Sequence, residues 1–93
     1  MSATNSRSVP TYCFSVFAAS EASVMPRVLE LFAKRGLVPS RFDAAVAGDD
    51  LAIDVQCGGL EAGTAAHIAA CLRNVVHVER VLTAVKSHAA EAL

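Results

Sequence analysis

Ninety-three residues, 54% of them hydrophobic, make one small folding unit and argue against a disordered chain. A net charge of −1 offers no basic field for nucleic acid and no acidic tail. The longest apolar run falls far short of a membrane span, and a chain this short gains buried area by self-association.

Residues 1–9, MSATNSRSV, are polar and lack the apolar centre of a signal peptide, so they read as a flexible leader. Three cysteines without CxxC spacing fit a reducing cytoplasm. Residues 10–85 form the expected domain, and 86–93 a tail with a frayed terminal turn.

Tyr12 to Ala18 predicts a first strand, with Tyr12, Phe14 and Val16 on one face and Cys13, Ser15 and Phe17 on the other. From about Ser23 to Arg35 the apolar positions Val24, Met25, Val28, Leu31 and Phe32 recur at spacings of three and four, which predicts an amphipathic helix. Ser23 is the expected N-cap, and Pro26 falls in the first turn, where its missing N–H breaks no helical bond. Lys34 and Arg35 suit the negative end of the helix dipole; Gly36 suits a left-handed stop, and Pro39 prevents the helix from resuming.

Val38 to Ala47 predicts a second strand with Phe42, Ala44 and Val46 inward. Pro39 near its start marks it as a sheet edge, because proline leaves a gap in a ladder. Gly48-Asp49-Asp50 signals a hairpin turn into a third strand, Leu51 to Cys57, which alternates cleanly. Gly58-Gly59 ends it. A second helix follows from about Glu61 to Arg73, with Thr64, Ala65, Ile68, Cys71 and Leu72 inward. The last strand, Val75 to Thr83, carries Val76, Val78, Val81 and Leu82, and its broken alternation predicts a bulge near Glu79 and Arg80. The order β-α-β-β-α-β is the ferredoxin-like α+β pattern: a four-stranded antiparallel sheet with two helices on one face.

Chemistry-bearing residues are sparse. His67 and Cys71, at i,i+4 on the second helix, could set two metal ligands side by side, but no second ligand pair is visible. The expectation is therefore no metal and no cofactor, with Cys71 a small buried hydrophobe and His67 at the boundary. Cys13 and Cys57 fall on opposite faces of neighbouring strands, so a disulfide would have to cross the sheet, and none is expected. No Ser, Cys or Thr has a base-bearing motif around it, so no catalytic residue and no enzyme are expected. The open face exposes Cys13, Ser15, Phe17, Asp54 and Gln56, a single aromatic beside a negative charge, which does not suit RNA.

The run Ser20-Glu21-Ala22-Ser23-Val24-Met25, followed by Leu31-Phe32-Ala33-Lys34-Arg35-Gly36, resembles the ACT domain family. It is most similar to the regulatory small subunits of acetolactate synthase, where Asn-x-Pro-Gly-Val-Leu opens a helix ending in Leu-Phe-x-Arg-Arg-Gly. The similarity extends more weakly over about Tyr12 to Thr83. In this chain Ser20 stands at the loop Asn, Ala22-Ser23 at the Pro-Gly, and Val38 at the Asn after the helix.

The resemblance implies an effector amino acid bound near the first loop, at the interface of two domains. Its carboxylate is expected at the amides of Ser23, Val24 and Met25, since a helix N-terminus favours anions. Ser20 would accept the ammonium, and Ala22 and Val38 complete the site. Apolar Val38 favours a small aliphatic ligand such as valine or leucine. The expected assembly is a homodimer through the second strand, with Pro39, Arg41, Asp43 and Ala45 near their symmetry mates. The resemblance further implies a biosynthetic enzyme as partner, acetolactate synthase first among them. A ligand-free dimerisation module is the alternative.

Overall fold

The computed structural model describes residues 10–87, the side chain of Ser87 excepted. The leader, 1–9, and the end of the tail, 88–93, lie outside the described residues. Six elements follow in the expected order: β1 (Pro10–Ala19), α1 (Val24–Ala33), β2 (Arg41–Ala47), β3 (Asp50–Gly58), α2 (Ala62–Arg73) and β4 (Val78–Ser87). The strands make one sheet in the order β2-β3-β1-β4, every neighbour antiparallel. The two edges are thus β2 and β4.

Alternation and helical periodicity converge on one core. Phe14 and Val16 of β1, Ile53 and Val55 of β3, Val24, Val28 and Phe32 of α1, and Ile68 and Leu72 of α2 are all buried. Phe14 and Phe32 meet edge to face, with ring centroids 5.6 Å apart and planes at 73°. That geometry sets the positive edge of one ring against the negative face of the other.

α1 ends as its residues demand. Gly36 takes φ 69, its amide reaching the Ala33 carbonyl at 2.9 Å, while the Leu37 amide reaches that of Phe32 at 3.0 Å. These two bonds satisfy carbonyls the helix leaves unpaired, and glycine alone enters this conformation without strain. The start of α1 departs from expectation. Ser23 already lies in the right-handed helical region, φ −77 and ψ −13, and its hydroxyl makes no capping bond. An N-cap needs an extended backbone to aim its oxygen at the first amides, which Ser23 does not have.

The bounds of β2 and β4 shift. β2 begins at Arg41, because 37–39 run without regular structure past Pro39. β4 begins at Val78 and runs to Ser87, two residues into the stretch read as tail. Val75 to His77 form a turn instead, where His77 takes φ 78 and its carbonyl accepts the Ala19 amide at 3.0 Å.

The expected bulge is present. Phe17 lies opposite Arg80 and Ala18 opposite Val78, so Glu79 is the extra residue. The kink carries the Arg80 guanidinium over the Phe17 ring, 4.5 Å from its centroid.

The inner face of β2 is barer than its pattern suggests. Phe42, Ala44 and Val46 lie opposite the buried Val55, Ile53 and Leu51, yet only Phe42 packs on the core and Val46 is 61% exposed. Neither helix covers that end of the strand.

Candidate functional site

The β1–α1 turn is held by its own backbone. The Ser20 amide donates to the Asp49 carbonyl at 2.9 Å, which clips the turn onto the β2–β3 hairpin. The Glu21 amide donates to Ala19 at 2.8 Å, and the Val24 amide to Glu21 at 3.1 Å. Ser20, Ala22 and Ser23 are exposed, Met25 is half-buried and Val24 is buried. Val24 therefore anchors the turn to the core, and its amide is already bonded to the Glu21 carbonyl. A carboxylate at this helix start is left with the amides of Ser23 and Met25.

Val38 stands apart from that turn. It is 86% exposed, and its carbonyl lies 3.9 Å from the Cys57 thiol, near the end of β3. Ser20 and Asp49 sit at the other end of the hairpin. The seven residues of β2 separate the two places by about 23 Å at a strand's ordinary rise. Within one chain, Val38 does not join Ser20, Ala22, Ser23, Val24 and Met25.

Arg41, Asp43 and Ala45 project on the open face, opposite Gln56, Asp54 and Ala52. Asp43 directly faces Asp54, a like-charge pair that costs stability. Arg41 offsets it, its Nε 2.6 Å from the Asp43 carboxylate, and that partner raises the guanidinium pKa further. Ser15, Phe17, Asp43, Ala45, Ala52 and Asp54 line a shallow concavity of about 310 Å³ on this face.

The cysteines sort by environment, and all three are free. Cys57 is buried, and burial raises its thiol pKa. Cys13 is half-buried on the open face. Cys71 is not a core residue: it sits half-exposed at the rim, its Sγ 3.6 Å from His67 Nε2. Arg35 comes from the end of α1 to place its Nη2 3.8 Å from the same sulfur. Sequence reasoning missed this third member because Arg35 and Cys71 are 36 residues apart and carry no shared pattern. Among the described residues no group of three or more His, Cys, Asp or Glu could hold a metal. No helix among them is long and apolar enough to cross a membrane.

Solved structures share this architecture at low identity. The ACT domain of the GTP pyrophosphokinase of Chlorobium tepidum superposes with a TM-score of 0.72 at 8% identity, over 82% of this chain and 99% of that one. The C-terminal domain of the MgtC protein from Mycobacterium tuberculosis gives 0.69 at 17% identity, over 89% and 93%. The uncharacterized protein TM1266 from Thermotoga maritima gives 0.66 at 14%, over 81% and 94%. These likenesses establish the fold alone. No curated protein sequence matches the chain. A family model described as ACT-like domain matches residues 5–90, and the chain belongs to the ACT-like domain family.

Proposed function

We propose that this chain is a non-enzymatic regulatory domain that works as a homodimer and takes a small aliphatic amino acid between its two copies. One observation carries the reading: the two halves of the expected site lie at opposite ends of an edge strand. Antiparallel pairing of β2 with its symmetry mate, centred on the middle residue Ala44, sets Arg41 opposite the partner's Ala47. The same register brings Val38 of one copy beside Asp50 of the other, next to the turn that Asp49 holds through Ser20. An isologous dimer would thus complete two equivalent sites. It would also pair the backbone groups that an edge strand leaves open.

In each site the amides of Ser23 and Met25 receive the carboxylate, the Ser20 hydroxyl accepts the ammonium, and Val38 of the other copy meets the side chain. An apolar wall favours valine or leucine over serine or glutamate. Effector binding across the interface would tighten the dimer, and a biosynthetic enzyme, acetolactate synthase first among candidates, would sense that change.

A second reading, assembly without ligand, draws on the closed turn. The Val24 amide is spent on Glu21, and residues 20–25 carry no side-chain amide to specify a polar ligand. A thermal-shift screen of the twenty amino acids at millimolar concentration separates the two. A ligand at a hundred times its dissociation constant stabilises the fold by about 2.7 kcal/mol. A shift with valine or leucine that disappears in Ser23→Pro and in Val38→Asp supports the shared site. No shift with any amino acid, from protein that light scattering reports as a dimer, leaves the assembly reading.

A further inference from the structure

The i,i+4 pair on α2 gains in the folded chain a partner that its spacing does not announce. Cys71 Sγ has an imidazole nitrogen at 3.6 Å and a guanidinium nitrogen at 3.8 Å. The guanidinium is held in place, since its other terminal nitrogen, Nη1, donates to the Leu31 carbonyl at 2.9 Å. The sulfur is half-exposed and His67 exposed, so a small reagent can reach both.

A thiol beside an imidazole serves either as a metal ligand or as a nucleophile, and Arg35 decides between them. A fixed positive charge against the sulfur repels a metal cation, which leaves the nucleophile. Among the described residues there is also no third ligand. Among the described residues no His or Arg is bonded to the remaining cysteines: Cys57 is buried among core residues, and Cys13 faces Gln56 and Ala84 across the sheet.

We propose that Cys71 is a reactive thiol, a modification site for hydroperoxides and other soft electrophiles, with His67 as its base and Arg35 as its counter-charge. The thiol proton passes to His67 Nε2, and the sulfur lone pair attacks the terminal oxygen of the hydroperoxide. An S–O bond forms as the O–O bond breaks. The departing alkoxide, or hydroxide from hydrogen peroxide, recovers the proton from the imidazolium and leaves as alcohol or water. Sulfur is oxidised by two electrons to the sulfenic acid and the peroxide is reduced by two. A low-molecular-weight thiol then condenses with the sulfenic acid, forming a disulfide and releasing water. Either product enlarges the group at Sγ and displaces Arg35 from the junction of α1 and α2.

The test follows alkylation of each cysteine by iodoacetamide, site by site, by peptide mass spectrometry on the full chain, folded and in denaturant. Burial alone can only slow a thiol, so an activated one is the one that reacts faster folded than unfolded. Cys71 is expected to alkylate roughly tenfold or more faster in the folded chain; a positioned base supplies about a hundredfold at its lower edge, and half-burial of the thiol takes back part of that. Cys57 should be protected and Cys13 at or below its denatured rate. His67→Gln and Arg35→Gln should each remove the enhancement, with Cys57 protection reporting that the variant is folded. Arg35→Lys, which keeps the charge, should retain part of it. Hydrogen peroxide with a dimedone trap should label Cys71 before the other two. Folded Cys71 reacting no faster than denatured Cys71, or an unchanged rate in folded His67→Gln, would overturn the proposal. Loss in Arg35→Lys as complete as in Arg35→Gln would overturn the role given to the charge.

Discussion

Phe32→Ala tests whether the fold is held where the structure says it is. The Phe32 side chain is fully buried and meets Phe14 edge to face at 5.6 Å. Burying a side chain of this kind is worth about 1.5–3 kcal/mol. Each ~50 Å³ of cavity that does not collapse adds about 1.2 kcal/mol, and loss of the aromatic pair adds about 0.5–1.5 kcal/mol. The sum falls at about 3–6 kcal/mol, which spans the ~3–5 kcal/mol usual for such a truncation. A domain of this size starts from roughly 5 kcal/mol of stability, so little remains. At about 1 kcal/mol per molar of urea the midpoint should fall by roughly 3 M or more. Far-UV circular dichroism is the suitable probe, because the chain has no tryptophan. Leu29→Ala, one turn away and 40% exposed, is the control and should cost less than about 1 kcal/mol. Equal shifts in the two variants, at matched protein concentration, would refute the assignment of the buried face of α1.

Light scattering at micromolar concentration should report a dimer, and alternate amides along β2 point to opposite sides. Of Ala44→Pro and Ala45→Pro, one should therefore give a folded monomer and the other should break pairing with β3; a dimer in both would exclude β2 as the interface. Gly36→Ala should cost about 1–2 kcal/mol by urea titration, because a Cβ there meets open space and only the φ of 69 opposes it. His77→Gly should raise stability by up to about 1 kcal/mol, relief of the left-handed backbone exceeding the entropy glycine loses. A fall in the urea midpoint of His77→Gly would mean that the imidazole makes a contact worth more than the strain.

Whatever depends on neighbours within a turn or two was legible in the sequence. The stripe Val24, Val28 and Phe32, the Gly36 stop, the alternation of β3 and the extra residue at Glu79 each follow from a local rule of geometry, and all appear in the fold. The sequence therefore determined the element order and the core, and its resemblance to the ACT family pointed to the family that residues 5–90 match. Features that depend on how far one element reaches over another were decided by the tertiary structure alone. Ala44 and Val46 follow the inward pattern of β2, but no helix covers them, so they remain exposed. Ser23 has the chemistry of a cap, but the clip between Ser20 and Asp49 accompanies a turn that sets its backbone in the helical region. Cys71 falls on the inward stripe of α2, but the helix sits so that its sulfur meets Arg35 at the rim. Periodicity states which side of an element is apolar; where that side ends, and which distant charge stands there, is set only when the layers pack.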